Sequence, residues 1–191
     1  MPASEFILGG QKSGKSRRAE QRASDWLGAQ AAHRAVLIAT GQAHDDEMRI
    51  RIQRHQQDRA VRVPNLHTVE EPLWVAQAVQ QWSQPNTLVV VDCLTLMLVN
   101  WAMPLTPADA ASSDALQCEQ HIQALCDAVR NAQGPVVLVG NEIGLGVIPL
   151  GQEVRQFVDA LGGLNQQVAA VCQRVTLMAA GLPLYLKGTP L

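Results

Sequence analysis

The sequence predicts an α/β fold built on a mostly parallel sheet, and three observations carry that expectation. Apolar runs of strand length recur at Glu5–Leu8, Ala35–Ala39, Leu88–Val91 and Pro135–Val139, separated by segments long enough for helices. These runs are continuous rather than alternating, which marks strands covered on both faces by crossover helices. The first run leads straight into Gly9-Gly10-Gln11-Lys12-Ser13-Gly14-Lys15-Ser16, a complete GxxxxGKS phosphate-binding loop with a helix-compatible segment behind it.

The remaining elements follow in order. Helices are expected over Lys15–Leu27, Asp45–Asp58, Glu71–Trp82, Ser113–Asn131 and Gly151–Cys172. The second opens on Asp45, Asp46 and Glu47, acids that favour the positive end of a helix. A fifth strand is expected at Arg174–Ala179, and the connection Gly181-Leu182-Pro183 is compact enough for a terminal hairpin with a short strand at Leu184–Leu186. No repeat and no Pro/Gly/Ser-rich linker divides the 191 residues, so residues 1–191 read as a single nucleotide-binding domain. Residues 102–112, rich in Pro, Ala, Asp and Ser, read as a surface loop, either mobile or an ordinary connection.

Composition narrows the function. A net charge of −2, no Lys/Arg run and 4% aromatic residues leave neither a basic footprint nor a stacking surface, which argues against nucleic acid as a partner. Cys93, Cys118, Cys126 and Cys172 show no CxxC or metal-like spacing, and the N-terminus has no basic region followed by an apolar one. They read as reduced thiols in a cytoplasmic protein. Even the apolar stretch Thr87–Val99 is too short for a bilayer span and contains Asp92.

The loop itself dictates nucleoside triphosphate chemistry. Gly9 and Gly14 let the backbone curl so that successive N–H groups face phosphate oxygens, and the helix N-terminus behind them adds partial positive charge. Lys15 can then reach the β- and γ-phosphates, and the Ser16 hydroxyl can ligate Mg²⁺. Asp92 ends the strand Leu88–Val91, where a carboxylate holds Mg²⁺ directly or through water; by itself such an aspartate is also a common turn former. Asn141-Glu142 follows another strand, so Glu142 either approaches substrate or caps the loop. His55 shares a helix face with Met48 and Ile52, and is either a packed side chain or a nucleophile forming a phosphoramidate. His33, His44, His67 and His121 lack metal-ligand spacing and read as surface residues.

Taken together, GGQKSGKSRRAE, IATGQAHDDEMRIRIQRHQQDR, VVVDCLTLMLVN, VGNEIGLGVIP and FVDALGGLNQQVA resemble the bifunctional adenosylcobinamide kinase/adenosylcobinamide-phosphate guanylyltransferase family, in order and over nearly the whole chain. The specificity lies in the DDEM…RI..H and NEIGLG…NQ.VA blocks more than in the loop. The resemblance implies a RecA-like P-loop fold, usually assembled as a homotrimer. It also implies phosphorylation of the aminopropanol hydroxyl of a corrinoid, adenosylcobinamide, with ATP or GTP as phosphoryl donor. GMP would then pass from GTP to the resulting phosphate through a GMP-histidine intermediate. Carried over residue by residue, Gly9 to Ser16 bind triphosphate and Asp92 occupies the acidic strand end. Thr40, Gly41 and Gln42 form a second nucleotide-contacting turn, and His55 is guanylylated. Gln56, Gln57, Asp58 and Arg59, with Glu70, lie near guanine nucleotide. The chain departs from the family pattern at Gln11-Lys12, where Ala-Arg is usual, at Arg54, where some members carry a first histidine, and at Gly163, where an arginine is usual. Two rival readings are a small-molecule kinase without guanylyl transfer and a RecA-like nucleotide-switch module.

Overall fold

A computed structural model describes residues 3–43, 45–102 and 115–189. Along these run β1 (Ser4–Gly9), α1 (Lys15–Ala29), β2 (Arg34–Ala39), α2 (Asp46–Arg62), β3 (Leu66–Glu70), α3 (Val75–Trp82) and β4 (Thr87–Asp92). They continue as α4 (Leu94–Ala102), α5 (Ala115–Arg130), β5 (Val136–Val139), α6 (Gln152–Val171), β6 (Arg174–Ala179) and β7 (Leu182–Lys187). The sheet order is β3-β2-β4-β5-β1-β6-β7, parallel throughout except for the antiparallel β6/β7 pair. This is the expected RecA-like P-loop arrangement with its C-terminal hairpin. The hairpin closes through Ala180 (φ 51) and Gly181 (φ 80), both left-handed, as a two-residue turn matched to strand twist requires.

Strand residues divide between two cores because successive side chains point to opposite faces. Phe6, Ile38, Val89, Val91 and Leu138 pack with α3, α4, α5 and α6. Ile7, Leu37, Val90, Val137 and Val139 pack with Ala19 and Ala23 of α1 and with Val63 at the end of α2. The central strands are thus covered on both sides, and their C-terminal ends all open at one end of the sheet.

Several elements differ from expectation. β3 was not foreseen: its sequence LHTVE is an edge strand, buried at Leu66 and half-exposed after it, so it lacks the apolar run of the inner strands. α4 was not foreseen either, because it starts two residues after β4 with no separating turn signal. α3 begins at Val75 rather than Glu71, since the Glu71 carboxylate folds a turn ahead of the helix by accepting from the amides of Leu73 (3.0 Å) and Trp74 (2.9 Å), and Trp74 is the N-cap. α2 runs on to Arg62, with Asp45 accepting from Met48 N at 2.7 Å at its start. Pro64 enforces the stop by disfavouring helical backbone at Val63. His44 and residues 103–112 of the expected loop lie outside the described residues. His121 is half-buried rather than on the surface, stacked on Trp101 and edge-on to Trp74, and burial holds its pKa below the usual value. His33 is half-buried as well, stacked on Trp26 at 3.7 Å.

Candidate active site

The loop from Gly9 to Ser16 joins β1 to α1 in the middle of the sheet. Its curl rests on left-handed backbone at Gly14 (φ 100) and at Lys12 (φ 54). Gly9 admits no side chain, because a Cβ there would stand 2.5 Å from both the Met178 carbonyl oxygen and Ser13 Oγ. The loop is tied to the hairpin by Gly181 N donating to Ser13 O at 3.0 Å. No side chain caps α1 and no acid occupies its first turn, so its leading amides and partial positive charge are left for an anion. Gly10, Gln11 and Lys12 form an exposed tip, whereas Ser13 and Lys15 are buried. Lys15 Nζ donates to Gly10 O at 2.6 Å and to Ser13 Oγ at 3.5 Å. Burial pushes its pKa below the usual lysine value, and the neighbouring Asp92 opposes that shift.

Asp92 ends β4, level in the sheet with Ala39 of β2 and Val139 of β5. The turn after β2 is held beside it: Thr40 N donates to Asp92 O (3.2 Å), Thr40 Oγ1 donates to Cys93 O (2.7 Å), and Cys93 N donates to Thr40 Oγ1 (2.8 Å). Asn100 Nδ2 also donates to Thr40 O at 2.7 Å. The Thr40 side chain is fully buried in this brace, while Gly41 and Gln42 are half-exposed. Burial and the adjacent Asp92 charge push the Cys93 thiol up to about 12, so it stays protonated at neutral pH.

The loop after β5 meets the same place from the other side. Glu142 N donates to Gly9 O at 3.1 Å, and Asn141 N donates to Thr95 Oγ1 at 2.9 Å. Asn165 Nδ2 of α6 donates to Asn141 O at 3.1 Å. Thr95 and Asn165 carried no assigned role in the sequence reading. The NQ.VA block was the signal for Asn165; Thr95 had none, since its partner is 46 residues away.

His55 is exposed on α2, one turn beyond Ile52. Ile52 lies close over the second turn: a Cβ on Gly41 would stand 3.5 Å from Ile52 Cδ1. α2 is also tied to α1, because the buried Glu20 of α1 pairs with Arg62 and stands 4.0 Å from Arg59 Nε. Gln56 donates to Glu70 at 3.1 Å, and both line a cavity of about 420 Å³ with Arg59, Pro64, Leu66 and Thr68. Gln57 is exposed and Asp58 pairs with Arg62 at 3.1 Å. This cavity runs along β3 from Leu66 to Glu70, four inter-strand steps from β1 or ~19 Å, so it and the phosphate loop are separate features.

The residues present suit Mg²⁺. Ser16 offers a half-exposed hydroxyl at the start of α1 and Asp92 a half-exposed carboxylate on the neighbouring side. Among the described residues no cluster of three His, Cys, Asp or Glu could hold a metal. One carboxylate and one hydroxyl, completed by phosphate oxygens and water, is the donor set this ion takes in nucleotide sites. No described helix is long and apolar enough to cross a membrane.

A family model described as cobinamide kinase / cobinamide phosphate guanyltransferase matches residues 5–186. The chain is similar to a bifunctional adenosylcobalamin biosynthesis protein of Pseudomonas aeruginosa, with 41% identity over 187 residues, 98% of this chain and 99% of that one. It is likewise similar to a protein of the same description from Escherichia coli, with 34% identity over 187 residues, 95% of this chain and 98% of that one. Among solved structures it is similar to the flagellar accessory protein FlaH from Methanocaldococcus jannaschii, with a TM-score of 0.50, 10% identity, 98% of this chain covered and 79% of that one. At that identity the likeness concerns the fold alone.

Proposed function

The chain belongs to the cobinamide kinase/cobinamide phosphate guanyltransferase family and is a bifunctional enzyme of cobalamin biosynthesis; from that premise we propose which residues carry its two reactions. The phosphate loop, Gly9 to Ser16, cradles the triphosphate of the kinase donor, ATP or GTP, and Lys15 neutralises charge on the transferring group. The observation that carries this is the buried Lys15 ammonium beside Asp92, a cation held dry at the mouth of an uncapped helix. Ser16 and Asp92 would hold Mg²⁺, which would supply charge neutralisation on the triphosphate. Thr40 braces the second turn from inside, so that Gly41 and Gln42 face the nucleotide.

Guanylyl transfer belongs to His55. A ring nitrogen attacks the α-phosphorus of GTP, an N–P bond forms, the α–β P–O bond breaks and pyrophosphate leaves. The corrinoid phosphate then takes GMP from the histidine and frees the ring. The cavity with Gln56, Arg59 and Glu70 follows His55 directly on α2, which supports a guanine subsite there; Gln57 and Asp58 lie between Gln56 and Arg59 on the same helix. Its separation from the phosphate loop supports two nucleotide positions, one for each reaction.

The whole chain works as one nucleotide-binding domain in the cytoplasm, without nucleic acid as a partner. It assembles as a homotrimer, for which the edge strand β7 is suited: Leu182, Leu184 and Leu186 are 70%, 57% and 56% exposed. Full activity at a monomer's mass in light scattering would end that assignment. The guanylyl step is tested by mass spectrometry after incubation with GTP and Mg²⁺ but no corrinoid. A gain of one GMP, mapped to the peptide containing His55, is expected; an unmodified protein, or a label on another residue, refutes it.

A further inference from the structure

We propose that Glu142 is the catalytic base of the kinase step, the carboxylate that takes the proton from the acceptor hydroxyl of cobinamide as that oxygen attacks the γ-phosphorus. Its place in the sheet comes first. β5 lies between β4, which ends in Asp92, and β1, which ends in the phosphate loop. Past the end of β5 the chain still follows β1, with Gly140 N donating to Ile7 O (3.0 Å) and Glu142 N to Gly9 O (3.1 Å). Glu142 is therefore bonded through its backbone to the first residue of the phosphate loop, at the end of the sheet where Lys15 and Asp92 stand.

The side chain is held within its own loop. Its Oε1 accepts from Gly144 N at 2.8 Å, which fixes the carboxylate and leaves Oε2 for a second partner. Among the described carboxylates near this end, Asp45 caps α2, Glu71 accepts from Leu73 N and Trp74 N, and Glu70 takes Gln56 at the far edge. Beyond Glu142, Leu145, Val147, Ile148 and Leu150 are 76–98% exposed, an apolar surface next to the base where a corrin ring can lie with its hydroxyl-bearing arm at the carboxylate.

In the step, the hydroxyl O–H bond breaks toward Glu142, the new O–P bond forms, the β–γ bridging P–O bond breaks, and the nucleoside diphosphate leaves. Glu142 then returns its proton to water. Attachment of GMP to a histidine involves no hydroxyl proton and does not use this carboxylate, so the two half-reactions separate the roles.

Glu142→Gln keeps an acceptor for Gly144 N and removes the base. It is expected to lower kcat for cobinamide phosphorylation by ~100-fold or more, with the donor KM and GMP attachment from GTP near the parent's values. Glu142→Asp should recover part of the kcat. The proposal is overturned if the Gln variant phosphorylates at nearly the parental rate. It is equally overturned if donor KM rises and kcat falls together in a folded protein, because Glu142 then only shapes the phosphate loop. Should the parent itself form no GMP adduct, the His55 assignment fails, while the kinase comparison still decides Glu142.

Discussion

Lys15 Nζ lies 2.6 Å from the carbonyl oxygen of Gly10, so the cation is folded back onto its own loop. A triphosphate oxygen offers a charged acceptor in place of that neutral one, and burial makes the exchange more favourable. Lys15→Met retains much of the apolar stem and discards the charge. We expect phosphoryl transfer to fall by about a thousandfold with little change in Tm. Near-parental turnover at saturating donor would remove Lys15 from the site.

Asp92→Asn preserves shape and removes the anionic ligand. The Mg²⁺ concentration needed for half-maximal phosphorylation should rise by roughly tenfold, the loss of about one charge contact. A titration that superimposes on the parent's would show that Asp92 only shapes the turn at Thr40.

His55 is exposed, so replacing it leaves no cavity. His55→Asn should abolish labelling from α-phosphate-labelled GTP and formation of the GDP-linked corrinoid, while the phosphorylated corrinoid accumulates. Retained label would exclude His55 as the acceptor. Loss of both activities in a folded protein would contradict the division of labour.

Glu5 is 2% exposed at the start of β1, accepts from Thr176 Oγ1 at 2.8 Å, and pairs with Arg22 (2.8 Å), Arg18 (3.1 Å) and Arg174 (3.9 Å). Burial raises its pKa, but the Thr176 hydrogen bond and the Arg22 and Arg18 charges outweigh burial and hold it below the usual value. A depressed folded-state pKa contributes stability that is full above the unfolded value of ~4.3 and is lost as pH falls through the folded value. Glu5→Gln should therefore cost about 3 kcal/mol near neutrality, and its Tm should fall less than the parent's on acidification below about pH 4. Parallel Tm curves for the two proteins would disprove the linkage.

The inner strands, the phosphate loop and the family were legible in the sequence because each is a local signal. A run such as Leu88–Asp92 or the GxxxxGKS spacing reports its own conformation, and the NQ.VA and RI..H blocks are read in place. The edge strand β3 escaped that reading because its side chains are partly exposed to water, and α3 began late because the Glu71 carboxylate closes a turn on Leu73 N and Trp74 N ahead of the helix. His55 could be picked out by pattern, yet only the structure sets it on the helix that Glu20 ties to α1.

The sequence by itself determined the parallel sheet, the anion-binding loop and the identity of the titratable groups at the strand ends. Tertiary structure alone decided which of those ends become neighbours. Strand order is fixed by crossovers, and it inserts β5 between β1 and β4, so that Glu142 meets Gly9 across 133 positions of chain. The same packing turns Thr40 inward onto Cys93 and draws Thr95 and Asn165 to Asn141. The reason is physical: buried backbone amides and carbonyls at strand ends must find partners, and those partners come from whichever element the core brings within about 3 Å.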